Sequence, residues 1–204
     1  YELLGKSDAQ GPMAIAAARG LTPFVGRLDD LAALEHAYQR LTNGQGHMVA
    51  IIGDAGMGKS RLLYEAGQFA GDSTVFFLGR CSSLTHAVPY APFVAMLRSY
   101  FSLVPGEAPD EARKKVAAKL GKCDEWLESK YPVLGRFLAV PGADSDVPSG
   151  ALKREVLEAI SRLILAESLR SPVIVGVEDV HWIDDASREL LDALVLRLAS
   201  APVL

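Results

Sequence analysis

Gly53, Asp54, Ala55, Gly56, Met57, Gly58, Lys59 and Ser60 fill the pattern G-x-x-x-x-G-K-[ST], a spacing whose chemistry is the holding of phosphate. Such a loop works because successive backbone N–H groups and the N-terminus of the following helix converge on one anion. Gly56 and Gly58 would let the main chain wrap closely around a phosphate, Lys59 would reach the outer phosphate oxygens, and Ser60 would offer its hydroxyl to Mg2+. The competing reading is a glycine turn with a solvated lysine. A dinucleotide fingerprint fits less well, because the glycines run G-x-x-G-x-G with a lysine behind them.

A phosphate loop also needs acids to hold the metal shell and orient water. The stretch "VIVGVEDVHWID" supplies an apolar run, Val173 to Val177, that ends in Glu178 and Asp179. Ligands of open parallel sheets sit at this carboxyl edge. One carboxylate can hold Mg2+ through water while the other polarises the attacking water. Two adjacent acids behind a strand also read as a solvated turn, and it is the glycine loop in the same chain that favours the metal-and-water reading.

The elements that must carry these residues are legible from periodicity. A phosphate loop has to follow a buried strand and open a helix, which predicts a strand over residues 47–52 and a helix over 59–70 with Leu62, Leu63, Ala66 and Phe69 on one side. Leu28, Leu31, Leu34, Tyr38 and Leu41 recur at helical spacing and stop at Asn43-Gly44. A second strand is expected over 74–79, so that strand, helix and strand read as a βαβ unit of a parallel sheet. Four helical stretches follow. The last, 151–169, has Ser149 as its expected cap and Leu152, Val156, Ile160 and Leu163 as its inner stripe. Residues 172–177 read as a strand buried on both faces. A closing helix over 186–199 starts behind Asp184 and Asp185, both suited to cap it. Because the strand over 74–79 intervenes, the strand before the loop and the acidic strand are not expected to be direct neighbours.

Composition narrows the function classes. The 204 residues are 50% hydrophobic and 23% charged with a formal net charge of −4, which gives no basic field for a nucleic-acid backbone or an anionic membrane. Cys81 and Cys123 lack zinc-site spacing and read as reduced, buried thiols. No apolar run of about 18 residues or secretion signal is present, so a cytoplasmic setting is expected. Residues 1–22 read as a linker from a preceding domain. The start at Tyr1 and the last residues "APVL" read as a piece of a longer polypeptide.

"TPFVGRLDDLAAL", "GDAGMGKSRLL" and "VIVGVEDVHWID" resemble the three successive boxes of AAA-type ATPase modules of the STAND class, the signal-transduction ATPases with numerous domains. The resemblance covers residues 19–204. It is nearest the bacterial branch found behind class III adenylate or guanylate cyclase domains and in large LuxR-type regulators. It implies an α/β, three-layer P-loop NTPase over residues 23–204 with a parallel sheet, truncated before the later strands and the helical lid that carry the sensor residues. It implies ATP and Mg2+ as cofactors and covalently linked output domains as partners. A nucleotide-dependent oligomer fits the same reading, with neither nucleic acid nor membrane as a direct partner.

By the resemblance Phe24, Val25, Gly26 and Arg27 lie on the base side of the nucleotide, although Phe24 also reads as a hydrophobic staple. Glu178 would attend Mg2+ through water together with Ser60. Asp179 would polarise water, with Lys59 as the third catalytic group. Here the acids stand in the order Glu-Asp where the family pattern has Asp-Glu, so slow hydrolysis or a nucleotide-held switch is an open alternative. His181 and Trp182 match the family's "HW" and read either as nucleotide sensors or as a helix cap and a core tryptophan. Arg61, directly behind the loop, is a candidate phosphate contact, and Arg80 could touch phosphate or a partner. Both arginines also read as solvated element ends. Besides an ATP-hydrolysing regulatory module, a non-hydrolysing scaffold and a DNA-associated ATPase of the origin-binding or loader kind remain as readings.

Overall fold

The structure is a computed structural model that describes residues 20–71, 73–141, 143 and 147–204. Most of the expected linker, residues 1–19, lies outside the described residues. Two compact units emerge. Residues 20–39 and 49–71 belong to one, and residues 40–48 and 73–204 to the other.

The first unit carries the glycine loop. Helix α1, Leu28–Thr42, starts within it, with Asp29 and Asp30 in its first turn where they suit the helix dipole. Gly44, at φ 79°, follows the helix end as the spacing predicts. Helix α2, Lys59–Phe69, buries Leu62 and Ala66 on its inner side. With Leu34 these form a small core, against which Phe24, Leu31, Ile51 and Phe69 pack. The Tyr38 hydroxyl donates to the Ala70 carbonyl at 2.5 Å.

The second unit holds the sheet. Strands β1, Val75–Arg80, and β2, Val173–Glu178, pair in parallel with Val75 opposite Val173 and Arg80 opposite Glu178. Between them in sequence run α3 (Ala91–Tyr100), α4 (Pro109–Cys123), α5 (Glu125–Ser129), α6 (Tyr131–Phe137) and α7 (Ser149–Ser168). Helix α8, Asp185–Leu198, follows β2. Phe77, Phe93, Met96, Leu97, Leu134 and Ile160 are fully buried in one continuous core, each contributing roughly 1.5–3 kcal/mol of burial. Among the described residues no helix is long and apolar enough to cross a membrane.

Local chemistry explains the element ends. Pro109 opens α4, with Asp110 and Glu111 behind it. Residues 125–137 form two helices rather than one, split at Lys130, because Pro132 brings no N–H to continue the first segment. The Asp124 carboxylate caps α5, accepting from the Trp126 and Leu127 amides at 2.7 and 3.2 Å. At α7 the expected Ser149 cap is displaced by one residue: the helix already starts at Ser149, and Pro148 holds the cap position.

Three strand expectations are corrected. Residues 47–52 form no strand: Met48, Val49 and Ile52 are exposed, and only His47 finds a ladder partner, donating its amide to the Val203 carbonyl at 3.0 Å. The expected βαβ pairing therefore does not form, and β1 pairs with β2 instead. Nor is β2 buried on both faces: Val173 alone is buried, and the rest is half-covered. On its second edge, among the described residues, β2 meets Val203 and Leu204, through a parallel bridge at Val173, a bond from the Leu204 amide to the Val173 carbonyl at 3.0 Å and one from the Val175 amide to the Leu204 carbonyl at 2.6 Å. This short segment stands between β2 and His47, whereas the strand expected to intervene, β1, lies on the other edge of β2.

Candidate functional site

The expected site residues divide between the two units, and each half has its own geometry. In the loop unit Gly56 and Gly58 adopt φ of 81° and 78°, the left-handed region that glycine enters without a Cβ penalty. No atom would meet a Cβ at either position within 4 Å, so backbone conformation rather than crowding demands glycine there. The Met57 amide closes the turn on the Asp54 carbonyl at 3.3 Å, and the Leu62 amide bonds the Gly58 carbonyl at 2.9 Å as α2 begins. The Lys59 ammonium reaches back across the loop to the Gly53 and Asp54 carbonyls at 2.8 and 2.9 Å.

The segment before α1 is fastened to this loop. Gly26 and Arg27 are both left-handed, with φ of 77° and 53°. The turn they make delivers the Arg27 guanidinium to the Met57 carbonyl at 2.9 Å, while its Nε holds Asp30 at 3.1 Å. Val25 is exposed, whereas Phe24 packs into the small core as a staple would. Arg61 is engaged rather than simply solvated: it donates to Glu65 at 2.6 Å and to the Thr22 carbonyl at 2.9 Å, and it lies 5.9 Å from the Phe24 ring centroid.

In the sheet unit the acids stand at the carboxyl edge of β2. The Cys81 amide extends the ladder by donating to the Glu178 carbonyl at 3.0 Å. Asp179 breaks out of the strand in a left-handed conformation, φ 56° and ψ 41°, which Asp tolerates better than most residues. Arg80, one strand over, directs both Nε and Nη2 onto Asp179 Oδ2, at 3.2 and 3.1 Å. Beneath them burial pushes the Cys81 thiol up to about 11, and the charges of Asp184 and Asp179 add to the effect. That thiol is neutral at physiological pH.

Behind the acids Val180–Trp182 forms a single 3-10 turn. Trp182 is 42% exposed, so it is not the core tryptophan of the simpler reading, and its ring lies near His181 and His86 with centroids 5.3 and 6.4 Å away. The cap of α8 is Asp184, which accepts from the Ser187 amide at 2.9 Å, and not His181. Among the described residues no cluster of His, Cys, Asp and Glu is arranged to hold a metal ion by side chains alone. The grip of Arg80 on Asp179 escaped the sequence reading. An arginine ending the strand "VFFLGR" was visible, but its partner is 99 residues away and follows only from the parallel register.

The parallel strand pair with its flanking helices and the glycine loop opening α2 define an α/β, P-loop-type nucleotide-binding domain. The chain belongs to the AAA ATPase domain family, whose profile matches residues 23–204. Membership implies ATP as ligand, as a rule with Mg2+. A protein of Rhizobium meliloti (strain 1021), titled only "Uncharacterized protein", is 31% identical over 186 residues, which are 89% of this chain and 18% of that protein. The chain thus spans less than a fifth of the length of that curated relative. No solved structure matches the chain.

Proposed function

We propose that residues 23–204 are the phosphate-holding part of a three-layer, STAND-class ATPase domain that regulates a multidomain signalling protein, with residues 1–22 as the linker from a preceding domain. A cyclase-linked or LuxR-type context is the form the sequence resemblance favours. The much greater length of the Rhizobium relative agrees with a multidomain setting. The observation that carries the reading is the loop itself, with two left-handed glycines, the start of α2 and the Lys59 ammonium all on one turn.

The chemistry of the donor set fits ATP and Mg2+. Loop amides from Gly53 to Gly58 and the α2 N-terminus would receive phosphate oxygens. Lys59 would exchange its two carbonyl partners for phosphate, a stronger charge-assisted pairing. Ser60 and, through water, Glu178 would hold Mg2+, which when bound neutralises charge on the phosphates. Arg27, which by the resemblance would lie on the base side, holds the loop through the Met57 carbonyl. Asp179 would orient the attacking water. Full-length protein should bind Mg2+-ATP, with affinity reduced about a hundredfold or more by Lys59→Ala, the scale of a lost charged contact plus its loop bonds. Unchanged affinity in that variant would sink the assignment.

One contact favours a second reading, the nucleotide-held switch with little turnover. A carboxylate whose Oδ2 already accepts two guanidinium donors is a poor acceptor for a water proton. Arg80 therefore acts as a positioning residue that restrains Asp179. In this reading the bound state of the nucleotide, rather than its turnover, biases the linked output domain.

A further inference from the structure

Strand β1 has a cleft at its other end. While Arg80 closes it beside Asp179, Val75 and Phe76 open it onto a cleft of about 520 Å3, within the usual range for small-molecule sites. Five residue steps separate Val75 from Arg80, about 17 Å along the strand. The last turns of α3, α4 and α7 and the turn after α7 bring Tyr100, Lys119, Lys122, Glu167 and Arg170 to the cleft.

The charge here is the inverse of the whole chain. Three cations face one carboxylate in a protein whose formal net charge is −4. Glu167 is satisfied internally, its Oε1 accepting from the Tyr100 hydroxyl at 2.6 Å and the Cys123 thiol at 3.3 Å. The cations keep donors to spare. Lys119 spends one of its three N–H groups on the Tyr100 carbonyl and sits 4.3 Å from that ring's centroid. Arg170 spends Nη2 on the Lys122 and Cys123 carbonyls, leaving Nε and Nη1. The Lys122 ammonium has no hydrogen-bond partner among the described residues.

Lys119 and Lys122 stand three residues apart on one face of α4, where like charges repel. Burial holds the Lys119 ammonium below the usual lysine range, and the charge of Lys122 adds to this against the pull of Glu167. An anion seated between them would relieve both costs. We propose that this cleft binds a small polyvalent oxyanion, a molecule with clustered phosphate or carboxylate groups.

The test is titration calorimetry on full-length protein carrying Lys59→Ala, so that the glycine loop does not contribute, with pyrophosphate and citrate as probes. One probe is expected to bind at a single site, and which one it is separates a phosphate from a carboxylate ligand. Lys122→Glu, at an exposed position whose ammonium supports no contact in the fold, should weaken that binding at least about tenfold, the scale of a charge-assisted hydrogen bond. Lys119→Met should weaken it by a similar factor. Absence of binding by both probes, or affinity unchanged in both variants, overturns the proposal. Neither result bears on ATP binding by the loop.

Discussion

In the sheet unit a continuous apolar interior joins Phe77 and Phe93 to Leu134 and Ile160, whereas among the described residues the loop unit's core cluster is Leu34, Leu62 and Ala66, with the small Ala37 and Ala70 also buried. The residues that bear the phosphate chemistry thus rest on the thinner core. Their geometry is held by a few polar ties instead: Arg27 to Met57, Lys59 to Gly53 and Asp54, and Arg61 to Thr22 and Glu65. A segment with few buried contacts opens at lower free energy than one in a deep core. The contrast therefore sets a loop held mainly by polar ties against an acidic edge carried by a strand of the larger core.

Core truncations should break this comparison first if it is wrong. Phe93→Ala removes a fully buried ring and should cost about 3–5 kcal/mol, while Leu62→Ala should fall at the low end of the range, about 2 kcal/mol, because a thin core collapses more readily around the gap. Urea unfolding of the two variants measures both, and equal losses would mean that the units are equally well packed.

A smaller effect is expected at the acidic edge. Arg80→Ala frees Asp179 and should raise phosphate release by the full-length protein by about tenfold, the scale of one charge-assisted hydrogen bond. The gain should vanish when Asp179→Asn is added. A rate that falls in Arg80→Ala would instead assign the arginine to the reaction and discard the restraint.

At physiological pH the last effect is absent, because it is an alkaline pH dependence of the sheet unit, where both cysteines lie. Burial first, then neighbouring carboxylates, push both the Cys81 and Cys123 thiols up to about 11, against a usual value of 9.0. Below pH 9 both states keep their protons and the contribution to stability is complete. Between 9 and 11 only the unfolded chain releases them, so stability falls as pH rises through that window. Cys81→Ala and Cys123→Ala together should flatten this slope in urea titrations at pH 8 to 10.5.

Much of the molecule was legible because its signals are local. The left-handed Gly56 and Gly58, the start of α2 at Lys59, the 3.6-residue stripe of α7, that of α1 apart from the exposed Leu28, and the Asp184 cap all follow from residues within a turn or two of one another. Strand β2 and its terminal acids were legible for the same reason. What sequence could not decide was pairing across the chain. An apolar run at 47–52 has strand propensity, yet a strand exists only where another segment offers ladder partners, and His47 alone finds one. Tertiary structure also decided the grip of Arg80 on Asp179, the fastening of Arg27 to the loop and the meeting of three helix ends around Lys119, Lys122 and Arg170. These contacts join residues between 30 and 99 positions apart in the first two cases, and no local spacing encodes which distant side chains a fold will bring together.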